Sequence, residues 1–170
     1  MDHAYVLFDP TGRIGPRDFW RGVILLVASQ VIMQTALVYG PPILVVILSI
    51  LSLALVYPYL CVFGKRLHDA GKSAWFFVLL LVGYLLIAQI AGQILQPFAS
   101  EALVDAQQTL QQAAEDNNIQ AMFETLQLIA KVQYLPGLVV MFLVNGVLGY
   151  FVARLPSEAG PNQYGPPVGA

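Results

Sequence analysis

Residues Lys65–Lys72, KRLHDAGK, hold five ionisable side chains, and the runs that flank them are apolar and uncharged for the length of a membrane crossing. That alternation constrains the fold more than any motif, because about 20 apolar residues in a helix cross about 30 Å of hydrocarbon. Four segments meet the requirement: Phe19–Tyr39, Ile43–Gly64, Ala74–Leu95 and Tyr134–Ala153. Each is apolar all round, as a helix buried in a bundle or facing lipid should be. Composition agrees. The 170 residues are 58% hydrophobic and 11% charged, against about 25% charged in a soluble domain. The expected fold is an all-α integral membrane protein of one domain. It has four transmembrane helices and an amphipathic helical hairpin between the third and fourth.

Punctuation sets the connections. Gly40-Pro41-Pro42 stops one helix and starts the next, too short a link for anything but an antiparallel pair. Pro58 should kink the second span near its end, and Pro136 falls in the first turn of the fourth, where a missing N–H costs little. Residues 96–133 differ in kind, with five acids, many glutamines and one lysine. Ile119, Met122, Phe123, Leu126 and Ile129 recur there at helical spacing and predict one buried stripe, and EDNN at 115–118 predicts a break between two helices. No cleavable signal peptide is read in the first 18 residues, and the first apolar run is too long for a signal h-region.

Orientation follows from the cations. Arg13, Arg17, Arg21, Lys65, Arg66, Lys72 and Arg154 fall on one side of the spans, and only Lys131 on the other. The positive-inside rule then predicts a multi-pass membrane protein with the cation-rich side facing the cytoplasm. Residues 1–18, the loop 65–73 and the tail 154–170 are cytoplasmic, and the acidic insert 96–133 is periplasmic. Trp75 should anchor the third span at headgroup level.

Chemistry is sparse. The single cysteine, Cys61, lies in an apolar run and reads as a small buried hydrophobe. His3 and His68 are too far apart for metal-site spacing, so neither a metal nor another cofactor is expected. No Ser or Cys has a nucleophile motif around it. Adjacent helical residues point about 100° apart, so Asp69 does not automatically orient His68, and no catalytic residue is assigned. Gln30, Gln34, Gln89, Gln93 and Asn145 within the spans read as interhelical hydrogen-bonding groups, worth about 0.6 kcal/mol each. No charge lies deep in a span, which removes support for a proton relay. The net charge of −2 and the lack of a basic stripe exclude nucleic acid as a partner.

Three pieces, taken together, carry a resemblance. GRIGPRDFW (Gly12–Trp20), KRLHDAGKSAWF (Lys65–Phe76) and GPNQYGPP (Gly160–Pro167) resemble, in order and spacing, the domain of unknown function 805 family of small bacterial inner-membrane proteins. Lys65, Ala74 and Phe76 stand where that pattern usually has arginine, glycine and tryptophan. The resemblance implies a topology more than an activity.

The pieces gather Arg13, Arg17, Asp18, Lys65, Arg66, His68, Asp69, Lys72, Trp75, Asn162 and Tyr164 at one membrane face. Two readings stand. One is an internal network in which arginines pair with Asp18 and Asp69. The other is a site for anionic lipid headgroups or a membrane-protein partner, to which arginine offers paired donors. Asp69 is the lone acid of its loop, so it should pair with at least one of Arg13, Arg17 and Arg66. The functional expectation is a non-enzymatic inner-membrane adaptor or accessory subunit. A transporter or channel component is the alternative, and a lipid-headgroup enzyme a weaker one.

Overall fold

The computed structural model describes residues 2–95 and 101–168. These residues form helices and no strand. They run α1 (His3–Phe8), α2 (Pro16–Tyr39), α3 (Pro42–Ala54), α4 (Val56–Asp69), α5 (Phe76–Leu95), α6 (Glu101–Glu115) and α7 (Ile119–Ala153). By length and composition three helical stretches can cross a membrane: Pro16–Tyr39, Ile47–Asp69 and Ile119–Ala153, with mean hydropathies of 1.8, 2.1 and 2.0. The third expected span corresponds to α5, whose apolar part is the shorter stretch Phe76–Ile90.

Several boundaries differ from those read in the sequence, each for a physical reason. The segment expected as the loop 65–73 is helical through Asp69. Its charged side chains find buried partners, so helix α4 need not end where the charges begin. The helix stops instead at a glycine. Gly71 takes φ +68, its N–H donates to His68 O at 3.0 Å, and that of Lys72 to Leu67 O at 2.8 Å. This is the paired closure of a Schellman motif. The kink expected at Pro58 appears one turn earlier, at Leu55 between α3 and α4. A proline ring clashes with the carbonyl four residues back, so the disturbance falls there.

The fourth span does not begin at Tyr134. Helix α7 starts at Ile119, capped by the Asn118 side chain accepting from Ala121 N at 3.1 Å. It runs unbroken for 35 residues, with Pro136 inside it rather than in its first turn. At 1.5 Å per residue it is about 52 Å long, well beyond the hydrocarbon thickness. Of the acidic insert, residues 101–133 form α6 and the first part of α7, and residues 96–100 lie outside the described residues. The break falls at the expected EDNN, where Asn117 takes φ +51.

The stripe expected in this hairpin is only partly covered. Ile119 is 67% and Leu126 43% exposed, while Met122, Phe123 and Ile129 are half-buried. The buried residues are smaller: Ala106 and Ala113 on α6 and Thr125 on α7. Small side chains let two helices approach closely, and the larger ones are left flanking the seam.

A buried cluster lies at the end of the bundle that carries α1 and the end of α4, and includes Val6, Ile14, Phe19, Val23, Leu26, Val62, Phe63, Leu67, Phe77 and Val152. Phe19 meets Phe63 edge-on at 5.1 Å. Gly149 on α7 lets the Trp20 ring lie against the backbone; a Cβ there would come within 3.1 Å of it. Farther along, the Tyr59 hydroxyl lies 3.0 Å from both Gln30 Oε1 and Asn145 Oδ1. Those two polar residues do bond between helices as expected. Gln89 and Gln93 are exposed on α5 and make no such bond among the described residues.

Candidate functional site

Asp69 is the last residue of α4 and is fully buried. Its carboxylate accepts at Oδ1 from Arg13 Nε at 3.1 Å and Nη2 at 3.0 Å. It accepts at Oδ2 from Arg66 Nη1 and from Ser157 Oγ, each at 2.5 Å. The pair anticipated at Asp69 is therefore a triad with a hydroxyl added. Arg66 reaches Asp69 because residues three apart share a helix face. Arg13 comes from the segment between α1 and α2, and Ser157 from the tail after α7.

The arginines also bind backbone. Arg13 donates from Nη1 to Gly160 O at 2.8 Å and from Nη2 to Glu158 O at 2.6 Å. Arg66 donates from Nη2 to Ala153 O at 3.0 Å and to Leu155 O. Glu158 N closes the clasp by donating to Asp69 O at 2.9 Å. Two segments distant in sequence, one from each end of the chain, are thus fastened to one turn of α4. Only Arg66 Nε is buried without a hydrogen-bond partner among the described residues.

Lys65 is equally buried and uses no carboxylate. Its Nζ donates to Tyr5 O and, at 2.6 Å, to Asp9 O, and lies 4.3 Å from the centre of the Tyr5 ring. Carbonyl dipoles and an aromatic face together stabilise the ammonium. Burial raises the Tyr5 phenol above its usual range, so it stays neutral beside the lysine. The Thr11 hydroxyl and amide hold the exposed Asp9 carboxyl below the usual carboxylate range.

His68 turns away from Asp69. Its Nδ1 is 3.1 Å from Gly12 O; a carbonyl only accepts, so that nitrogen carries the proton. Its ring stacks on Tyr164 with centres 3.8 Å apart and planes within 6°. Asn162 Nδ2 donates to His68 O at 3.0 Å, and its Oδ1 accepts from Tyr164 N at 2.9 Å. The two neighbours face different partners, and the acid–base pairing that adjacency suggests is not formed.

Arg13, Lys65, Arg66, His68, Asp69, Asn162 and Tyr164 are thus brought together. The other candidates lie outside. Asp18 pairs with Arg21 at 3.1 Å on the surface rather than with the network. Arg17 is exposed and has no ion pair among the described residues. Lys72 is exposed with Nζ 5.5 Å from the Phe76 ring centre, and Trp75 is 76% exposed. A hollow of about 310 Å³ beside the network is lined in part by Tyr5, Arg13, Asp18 and Tyr164. Arg13's donors are already engaged and Asp18 answers Arg21, so nothing there is set up for an anion. Ser157 and the carbonyls of Tyr5, Asp9, Ala153, Leu155, Glu158 and Gly160 were not found from the sequence. A backbone acceptor has no residue signature, and Ser157 stands in no motif. Among the described residues no group of three or more His, Cys, Asp and Glu could hold a metal.

A family model described as "Protein of unknown function (DUF805)" matches residues 7–166, which takes in Arg13, α4 and the tail up to Pro166. The chain is 38% identical over 84 residues to the uncharacterized protein YiiR of Escherichia coli strain K12, and equally to that of strain O157:H7. That match covers 48% of this chain and 56% of YiiR, so the chain spans about half the length of these relatives. No solved structure matches.

Proposed function

The chain belongs to the DUF805 family, and from that starting point we propose that it is a non-enzymatic accessory subunit or adaptor of the bacterial inner membrane. Its four spans are α2, α3 with α4, α5, and the part of α7 from Tyr134 onward. Both termini are cytoplasmic and the α6–α7 hairpin is periplasmic. Its cytoplasmic face contacts anionic lipid headgroups or an acidic membrane-protein partner. The observation that carries this reading is what the buried charges bind. Asp69 pairs with Arg13 and Arg66, and the arginines and Lys65 bond backbone carbonyls, so these groups fasten segments together as a rigid platform. The cations left facing outward are Arg17, Lys72 and Arg154, beside the exposed Trp75.

Topology is tested by labelling. In a Cys61→Ala background, Glu115→Cys should react with a membrane-impermeant maleimide added to intact spheroplasts. Labelling only after the inner membrane is permeabilised would reverse the orientation.

Contact with the anionic leaflet is tested by charge reversal. A juxtamembrane cation gains about 1 kcal/mol at such a surface. Arg17→Glu, Lys72→Glu and Arg154→Glu together should weaken retention of phosphatidylglycerol, or of a co-purifying acidic partner, by at least about 100-fold. Thermal stability in detergent should be unchanged. Undiminished retention would sink this part of the reading.

A further inference from the structure

We propose that α5 pairs, inside the membrane, with α5 of a second copy of this chain, joined through Gln89 and Gln93. The inference rests on the reading of α5 as a span and is independent of the cytoplasmic face. One side of α5 is already occupied. It packs on α4 and α7, with Phe77 buried and its ring 6.0 Å from that of Phe63. The other side carries Val78, Val82, Leu86, Gln89 and Gln93 at a spacing that puts them on one stripe. All five are exposed. The three apolar ones are as much at home against lipid tails as against protein, but the two amides are not. With Trp75 at headgroup level, Gln89 stands thirteen residues beyond Phe76, about 20 Å into a hydrocarbon layer of about 30 Å. Neither amide has a hydrogen-bond partner among the described residues, and a polar group left unpaired in hydrocarbon is costly.

The chemistry of those groups selects the occupant. Copies of one chain insert in the same orientation, so a two-fold axis along the membrane normal sets each residue of the stripe against its own counterpart at the same depth. A side chain suited to that contact must bond to itself. A glutamine amide does, since it both donates and accepts, whereas a carboxylate or an ammonium would repel its own image. Gln89 and Gln93 lie one turn apart on the same face, so the pair of copies gains two layers of amide hydrogen bonds. Such bonds, with close packing, are what join helices in a membrane. Val78, Val82 and Leu86 carry no charge to oppose the approach, and they extend the contact toward Trp75.

The test uses the full chain in a Cys61→Ala background. In native membranes oxidised with iodine, Gln89→Cys and Val82→Cys should each give a disulfide-linked dimer. Phe142→Cys, exposed on α7, should give none. In liposomes, energy transfer between labelled copies should fall as lipid dilutes the protein. Gln89→Leu with Gln93→Leu should weaken that association at least about tenfold, with the melting temperature unchanged because both side chains lie on the surface. The proposal is overturned if the leucine variant associates as the unaltered chain does, if the chain is monomeric at every dilution, or if Phe142→Cys cross-links as readily as Gln89→Cys. A membrane-impermeant maleimide, added to membranes opened to both sides, separates two failures. Reaction at Gln89→Cys overturns the span and the pairing with it. Shielding of Gln89→Cys without any dimer overturns the pairing alone.

Discussion

Replacing Asp69 by alanine should destabilise the protein by about 3–5 kcal/mol, the range for breaking a buried ion pair from one side. The carboxylate is the shared acceptor of Arg13, Arg66 and Ser157. Its removal leaves two guanidinium groups facing each other across a desolvated gap. Asp69→Asn keeps the shape but loses the charge, and its amide nitrogen adds a donor where only acceptors are wanted. Both variants should lower the melting temperature in detergent and speed tryptic cleavage at Arg17, with span topology intact. Arg13→Met with Asp69→Leu and Arg66→Met should recover part of the loss, since apolar replacements of a buried charge cluster can be near neutral. Recovery should stay incomplete, because Ala153, Leu155, Glu158 and Gly160 lose the donors that now meet their carbonyls. Unchanged cleavage and melting in Asp69→Ala would mean that the triad does not hold these segments.

Lys65→Met should be the second most damaging substitution, and its effect should be local. The ammonium satisfies the carbonyls of Tyr5 and Asp9, and each orphaned buried acceptor costs about 1–3 kcal/mol. A helix of six residues such as α1 cannot stand alone. Its attachment rests on this lysine, on Val6 in the core, and on Tyr57 donating to Phe8 O at 3.0 Å. Hydrogen exchange across residues 3–9 should therefore rise by two to three orders of magnitude, while exchange in α7 stays unchanged. Lys72→Met, at an exposed position, should fall within about 0.5 kcal/mol of the unaltered protein. Equal effects at the two lysines would remove the reason to treat Lys65 as a structural cation.

What could be read from the sequence depended on whether an interaction leaves a mark on residue type. The apolar runs are such a mark, and α2, α3 taken with α4, and α5 stand within a few residues of their expected places. Asp69 was legible because a lone acid among cations near a membrane face gains by pairing with one of them. The extension of α4 through Lys65–Asp69 was not. Charged residues after an apolar run read as a solvent boundary, whereas here they are buried by segments from both ends of the chain. Helix α1 was hidden because six residues have no periodicity to measure. The continuity of α7 was hidden by Pro136, which marks a helix start as often as a tolerated interior kink.

The clasp on Asp69 also imposes an order on biogenesis. Arg13, Arg66 and Asp69 leave the ribosome early, but Ser157 and the carbonyls of Ala153, Leu155, Glu158 and Gly160 are synthesised only after α7. Until then a nascent chain holds its N-terminal segment and the end of α4 with part of their bonding unmade. That end of the bundle therefore cannot be completed helix by helix as the chain emerges. It locks once, when the tail arrives, and a chain stalled between α5 and α7 would expose that unlocked end to the proteases that survey membrane insertion.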